Sequence, residues 1–176
     1  MKKHFLILFL ALVCLPLFGQ FKLQNAIIIG QFDKSEDRYA MEVNMTEMLS
    51  DFGIKAMPSL NLLKQGGDAI VLSNDTLQAI MLGQGYDTYM VVNVRGYDKK
   101  FKKSSMAVSF RDVLSMTSIY HLYKEEATNV TFEFSFFRHN KVVHREIVKI
   151  GNVSSRDSVI KKFRKKIPKI IEKKWK

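Results

Sequence analysis

Two stretches constrain this chain more than any others, because both are apolar on successive residues and not on alternate ones. Ala26–Gly30 (AIIIG) carries an unbroken run around Ile27 to Ile29, flanked by polar Asn25 and Gln31. Tyr89–Val94 (YMVVNV) is apolar on both faces in the same way. A strand has this pattern when both of its faces are covered, the condition of a central strand in an α/β sheet. Helical patterns lie between the two runs, so the strands are expected to run parallel.

The first intervening segment, EDRYAMEVNMTEMLSDF, sets Met41, Met45, Met48, Leu49 and Phe52 on one helical face. That methionine stripe is read as core packing in preference to an adaptable binding groove. Gly53 supplies a left-handed stop, and IKAM forms a short strand that Pro58 ends. SLNLLKQGGDAIVLS reads as a connector with one helical turn, punctuated by Gly66 and Gly67. A second helix is expected to start at Asp75, capped by that residue with Gln78 closing a capping-box-like pair, and to end near Gly83 or Gly85. This order sets aside GQGYDTYMVVNVRG as a dinucleotide loop. Such a loop follows a strand and opens a helix, whereas here a helix precedes the glycines and a strand follows them.

An irregular excursion is expected over residues 98–128, opened by KKFKKSS. NVTFEFSFF then alternates strictly, with Val130, Phe132, Phe134 and Phe136 on one face and Thr131, Glu133 and Ser135 on the other. RHNK is a turn, and VVHREIVKI returns antiparallel to complete a hairpin. Ser154 or Ser155 caps a final helix that turns Ile160, Phe163, Ile167 and Ile170 inward and Lys161, Lys162, Lys165, Lys166, Lys169 and Lys173 outward, with a kink at Pro168. The fold class is therefore α/β (α+β): a single mixed sheet of about five strands with helices packed on it, ordered strand-helix-strand, helix-strand, β-hairpin, C-terminal helix.

The amino terminus sets the compartment. MKKHFLILFLALVCLPLFGQ has a basic start, an apolar core from Phe5 to about Leu15 and a helix breaker at Pro16, the pattern of a secretory signal peptide cut after Gly19. The core is too short to span a bilayer, so the mature chain has no transmembrane span from this source. An alternative reading lipidates Cys14, although Val13 stands where such a signal wants a small residue. Residues 1–19 are thus a signal peptide and residues 20–176 a single domain. The protein is expected to be exported, periplasmic or secreted, with the periphery of the outer membrane as one location.

Cleavage removes the only cysteine, and with it any disulfide, thiol nucleophile or cysteine metal site. It also lowers the net charge from +11 to +9, as Lys2 and Lys3 leave. Between Ser155 and Lys176 there are ten basic and two acidic residues, a local +8, so the rest of the mature domain is nearly neutral. That concentration favours anionic partners. Nucleic acid is not among the expected partners, because the chain is exported and shows no aromatic-basic RNA motif.

Catalytic patterns are missing. His144–Glu146 (HRE) resembles the H-x-E of zinc deaminases, but the mature chain lacks the cysteines that site needs. His139 and His144 do not have the helical spacing of an H-E-x-x-H zinc site, and there is no nucleophile elbow. Asp33 and Asp98 both follow strands at the carboxyl edge of the sheet and form the least implausible acidic pair, whereas Asp87 precedes its strand and falls at the opposite end. No cofactor, metal site or catalytic residue is assigned.

Taken in order, AIIIGQF, the helix ending LSDFGIKAMPS, GQGYDTYMVVNVRG, TNVTFEFSFF, RHNKVVHREI and the terminal amphipathic helix resemble a small bacterial envelope domain. It is the one shared by the amino-terminal part of TolB-type proteins and by lipoproteins of the CsgG and LpoB kind. That resemblance implies an assembly, docking or regulatory role in the cell envelope, without enzymatic activity, and an envelope protein as partner. The chain departs from the lipoproteins in its poor lipid-attachment cysteine and from TolB-type proteins in lacking the propeller. The expected function is a non-enzymatic interaction or assembly module. Its alternatives are binding of anionic lipid or polymer by the lysine-rich helix, and a small enzyme using Asp33 and Asp98.

Overall fold

A computed structural model describes residues 21–63, 67–96, 109–114, 129–153 and 155–176. The expected signal peptide with Cys14, the KKFKK run with Asp98, and most of the expected excursion lie outside these residues. The elements are β1 (Asn25–Gln31), α1 (Ser35–Asp51), β2 (Lys55–Pro58), two 3-10 turns (Ser59–Asn61 and Ala69–Ser73), α2 (Asp75–Gly83) and β3 (Tyr89–Gly96). They continue with α3 (Phe110–Leu114), β4 (Asn129–Arg138), β5 (Lys141–Gly151), α4 (Arg156–Ile170) and a π turn (Ile171–Trp175).

The five strands form one sheet in the order β2-β1-β3-β4-β5. β1 pairs in parallel with both β2 and β3, while β4 is antiparallel to β3 and β5 to β4. The two apolar runs are therefore adjacent central strands, with Ile28 opposite Met90 and Gly30 opposite Val92. Ile27, Ile28, Ile29, Met90, Val91 and Val92 are all fully buried. His139 and Asn140 both take positive φ in the two-residue β4–β5 turn, the conformation that matches the twist of a tight hairpin.

Two cores form, one on each face. On the first, α1 and α4 cover Ile28, Val92, Phe132, Phe134 and Phe136 with Met41, Met45, Phe163 and Trp175. Trp175 stands 5.2 Å from Phe134 and 5.1 Å from Phe136, and Phe132 meets Phe163 edge-on at 5.1 Å, arrangements that aromatic quadrupoles favour. On the second, α2, α3 and the 3-10 turns cover Ile27, Ile29, Val91 and Phe137 with Leu72, Met81 and Phe110. The helical turn of α3 gives part of the expected irregular excursion regular structure, with Phe110, Val113 and Leu114 buried.

Two local expectations shift. The cap of α2 is Asn74, not Asp75: Asn74 is extended and its Oδ1 accepts from the amides of Thr76 and Leu77, so Asp75 is already helical. The inward stripe of α4 and the π turn is Val159, Phe163, Ile167, Ile171 and Trp175, an unbroken four-residue repeat, which leaves Ile160 and Ile170 half-buried on its flanks. The helix runs through Pro168 to Ile170 and is followed by the π turn that delivers Trp175 to the core. Gly85 makes the expected left-handed stop after α2, at φ 84°.

Candidate anion-binding ridge

α4 is held on the sheet by its ends, its flanks and its apolar stripe. Ser155 and Ser158 form a reciprocal capping box, in which the Ser158 amide donates to Ser155 Oγ and the Ser155 amide to Ser158 Oγ. On one flank Arg156 Nε lies 2.7 Å from Asp37 Oδ1, and Arg164 reaches Glu47 at 3.0 Å and Asn44 at 2.8 Å, all on α1. On the other flank the lysines face β5. Lys162 Nζ donates to the carbonyls of Gly151, at 3.0 Å, and Asn152, while Lys166 Nζ donates to that of Lys149 at 2.7 Å. Lys174 pairs with Glu146 at 2.9 Å.

These contacts divide the six lysines of the predicted ridge into two groups. Lys162 and Lys166 serve the outward carbonyls of the edge strand β5, groups that would otherwise offer a pairing site to another chain. Lys161, Lys165, Lys169 and Lys173 are exposed and make no hydrogen bond or ion pair among the described residues. Spaced by four, they form one stripe about 18 Å long at the usual helical rise. Three acids on the elements beside α4, Asp37, Glu47 and Glu146, are instead paired with Arg156, Arg164 and Lys174.

The acidic candidates separate. Asp33 is exposed in the turn after β1, and Asp98 lies outside the described residues. Asp87 precedes β3, so with β1 and β3 parallel it falls at the far end of the sheet from Asp33. His144 is stacked on Phe21, with ring centroids 4.4 Å apart, and its Nε2 is 3.9 Å from Glu146 Oε2. Arg145, between them in sequence, faces the other side and approaches Glu133. His139 occupies the hairpin turn. Among the described residues no three His, Cys, Asp or Glu side chains gather as a metal site would require, and no helix is long and apolar enough to cross a membrane.

Four carboxylates are buried among the described residues, of which Asp37 and Glu146 pair with Arg156 and Lys174. Glu42 is fully buried and accepts from the Gly30 amide, Arg38 Nε, Ser59 Oγ and the Leu60 amide. Glu133, on the polar face of β4, is bound by Arg95 and Ser135 and is 3 % exposed. The alternation in NVTFEFSFF shows that this face is polar, but not that it is covered. For Glu42 the available signal is its place beside Met41 on the core-facing side of α1.

No protein-family model matches the chain, and no curated protein matches it. The resemblance to TolB-type, CsgG and LpoB domains therefore stands on element order alone. Among solved structures the chain is similar to lipoprotein GNA1162 from Neisseria meningitidis, at 12% identity and a TM-score of 0.46, over 85% of this chain and 97% of that one. It is also similar to the PelC dodecamer from Paraburkholderia phytofirmans, at 11% identity and a TM-score of 0.44, over 86% of each chain. Neither likeness assigns a partner or an activity to this chain.

Proposed function

We propose that this protein is an exported, non-enzymatic binding module of the cell envelope that engages anionic envelope material through Lys161, Lys165, Lys169 and Lys173. The observation behind this reading is that these four side chains form no ion pair among the described residues, on a helix whose other faces are fixed to the domain. A rigid row of charges loses little conformational freedom on binding apart from that of the lysine side chains themselves. Near an anionic surface each lysine contributes roughly 1 kcal/mol, and the sum falls as salt screens it. The signal-peptide pattern supports the compartment. The apolar stripe of α4, Val159, Phe163 and Ile167, is already committed to the core, so the helix meets a surface by charge and not by insertion.

The test is co-sedimentation with anionic vesicles and with isolated cell-wall polymer, at low and high salt. The parent should bind at low salt and be released at high salt, and K161Q/K165Q/K169Q/K173Q should lose that binding while keeping its fold. Equal binding by the two proteins removes the ridge from the function.

A second reading, an envelope protein as partner, is favoured by one observation. Val71, Ile80 and Leu82 are about half exposed around α2, on the opposite face of the sheet from the ridge. Crosslinking from these positions in the native envelope would recover such a partner, and an absence of specific adducts counts against it.

A further inference from the structure

A cavity of about 290 Å³ lies between α2, the segment entering β3 and the β4–β5 turn. Its walls are apolar and aromatic, supplied by Ala79, Leu82, Tyr86 and Tyr89. Its polar lining residues are Asp75, Asp87, Gln78 and His139. The volume is near the lower limit for small-molecule sites, which combine apolar walls with a few placed polar groups in the same way.

The hydrogen bonds around the cavity decide what chemistry is left over. Gln78 Nε2 donates to the Leu72 carbonyl at 3.0 Å and to Asn140 Oδ1 at 2.7 Å, so its donors are committed. Asn140 Nδ2 in turn donates to Asp75 Oδ1 at 2.9 Å, which fixes that carboxylate and leaves its second oxygen. Asp87 is positioned through its amide, which donates to Asn25 Oδ1 at 2.8 Å, and its Oδ1 accepts from the Thr88 hydroxyl at 2.6 Å. Arg138 Nε forms an ion pair with Asp87 Oδ2 at 3.6 Å, which neutralises part of that carboxylate's charge. Tyr89 is 2 % exposed, and its hydroxyl has no hydrogen-bond partner. A buried phenol without a partner destabilises the empty protein and is available to whatever fills the space. What remains is the second oxygen of Asp75, the Asp87 carboxylate shared with Arg138, the Gln78 side-chain oxygen, the His139 imidazole and a phenol oxygen, beside two aromatic rings. Tyr86 already attracts one cation, because Lys55 Nζ stands 4.4 Å from its ring centre.

We infer that this cavity binds a primary alkylammonium group on a short apolar stem. The carboxylates and the Tyr89 oxygen would accept its N–H donors, and Leu82, Ala79 and the tyrosine rings would cover the stem. Two sources share this chemistry, a free alkylamine and the lysine side chain of a polypeptide.

The test uses the whole mature domain and follows amide and side-chain NMR shifts during titration with n-butylammonium, with Nα-acetyl-lysine methylamide, and with the uncharged n-butanol. Both cations should shift Ala79, Leu82, Tyr86 and Tyr89 saturably, and butanol should not. Tighter binding of the acetyl-lysine amide identifies a polypeptide lysine as the source, and tighter binding of butylammonium a free amine. D75N and D87N should each weaken the cation by about tenfold or more. Tyr89→Phe loses no partner and so should fold. It should melt at a higher temperature than the parent when empty and bind the cation more weakly, opposite signs that a purely structural role does not produce. Equal shifts from butanol, shifts centred elsewhere, no saturable shift, or undiminished affinity in Tyr89→Phe each overturn the inference.

Discussion

The main-chain amide of Gly30 donates to Glu42 Oε1 across 2.9 Å, joining the carboxyl end of β1 to a side chain two turns into α1. The same oxygen accepts from Ser59 Oγ at 2.7 Å, and Oε2 accepts from the Leu60 amide at 3.0 Å. One carboxylate thus fixes β1, α1 and the chain leaving β2 against one another, at the end of the sheet where α/β proteins often place ligands. Here its neighbours saturate it. A side chain at Gly30 would be tight, because a Cβ would stand 3.2 Å from the Arg38 carbonyl and from the Phe32 ring.

Glu42→Ala removes an acceptor shared by four donors in a buried site. It should cost about 3–5 kcal/mol, as removing one member of a buried charged pair does. Urea denaturation followed by circular dichroism measures the loss. A cost close to that of an exposed substitution shows that water replaces the carboxylate at this junction.

The two groups of lysines on α4 should behave differently. Lys162→Gln and Lys166→Gln each remove a charged donor from a β5 carbonyl and should lower stability by about 1 kcal/mol. Lys161→Gln, Lys165→Gln, Lys169→Gln and Lys173→Gln should each change it by less than about 0.5 kcal/mol. Denaturant midpoints of the six single variants decide whether the division holds.

Trp175 is the only tryptophan and is fully buried one residue from the carboxyl end. Its backbone carbonyl accepts from the Leu23 amide at 2.7 Å, so the last turn also fixes the start of the described chain. Native fluorescence should be blue-shifted and should move to the red in a single step with unfolding. Trp175→Ala should cost about 3–5 kcal/mol, in line with other buried aromatic truncations. An emission maximum typical of solvated tryptophan in the native protein contradicts the docked π turn.

Burial raises the Tyr89 phenol from its ordinary value near 10 to about 12. The unfolded chain therefore gives up this proton near pH 10 and the folded one near 12, so between these values the unfolded state binds fewer protons. Below pH 10 the group has no effect on stability, and from 10 to 12 it should remove on the order of 2 kcal/mol. Ultraviolet titration should show one tyrosine ionising late, and Tyr89→Phe should lose that component together with its share of the alkaline destabilisation.

The sequence by itself determined the sheet's centre and the class of the fold. Runs such as AIIIG and YMVVNV tolerate no exposed face, and helices between them require parallel pairing, so burial and chain connection leave one arrangement for β1 and β3. It also determined the positions of most helices and the hairpin, because period and turn chemistry act between near neighbours. Tertiary structure decided what depends on partners distant in sequence. The charge count of α4 is the same for all six lysines, yet Lys162 and Lys166 meet β5 carbonyls and the other four do not, a distinction made by the orientation of the helix over the sheet edge. The acceptor set of Glu42, the covered polar face carrying Glu133 and the cavity that joins Asp75 to Asp87 and His139 arise in the same way. Each brings together groups whose spacing in the sequence has no period, and only the packed chain makes them neighbours.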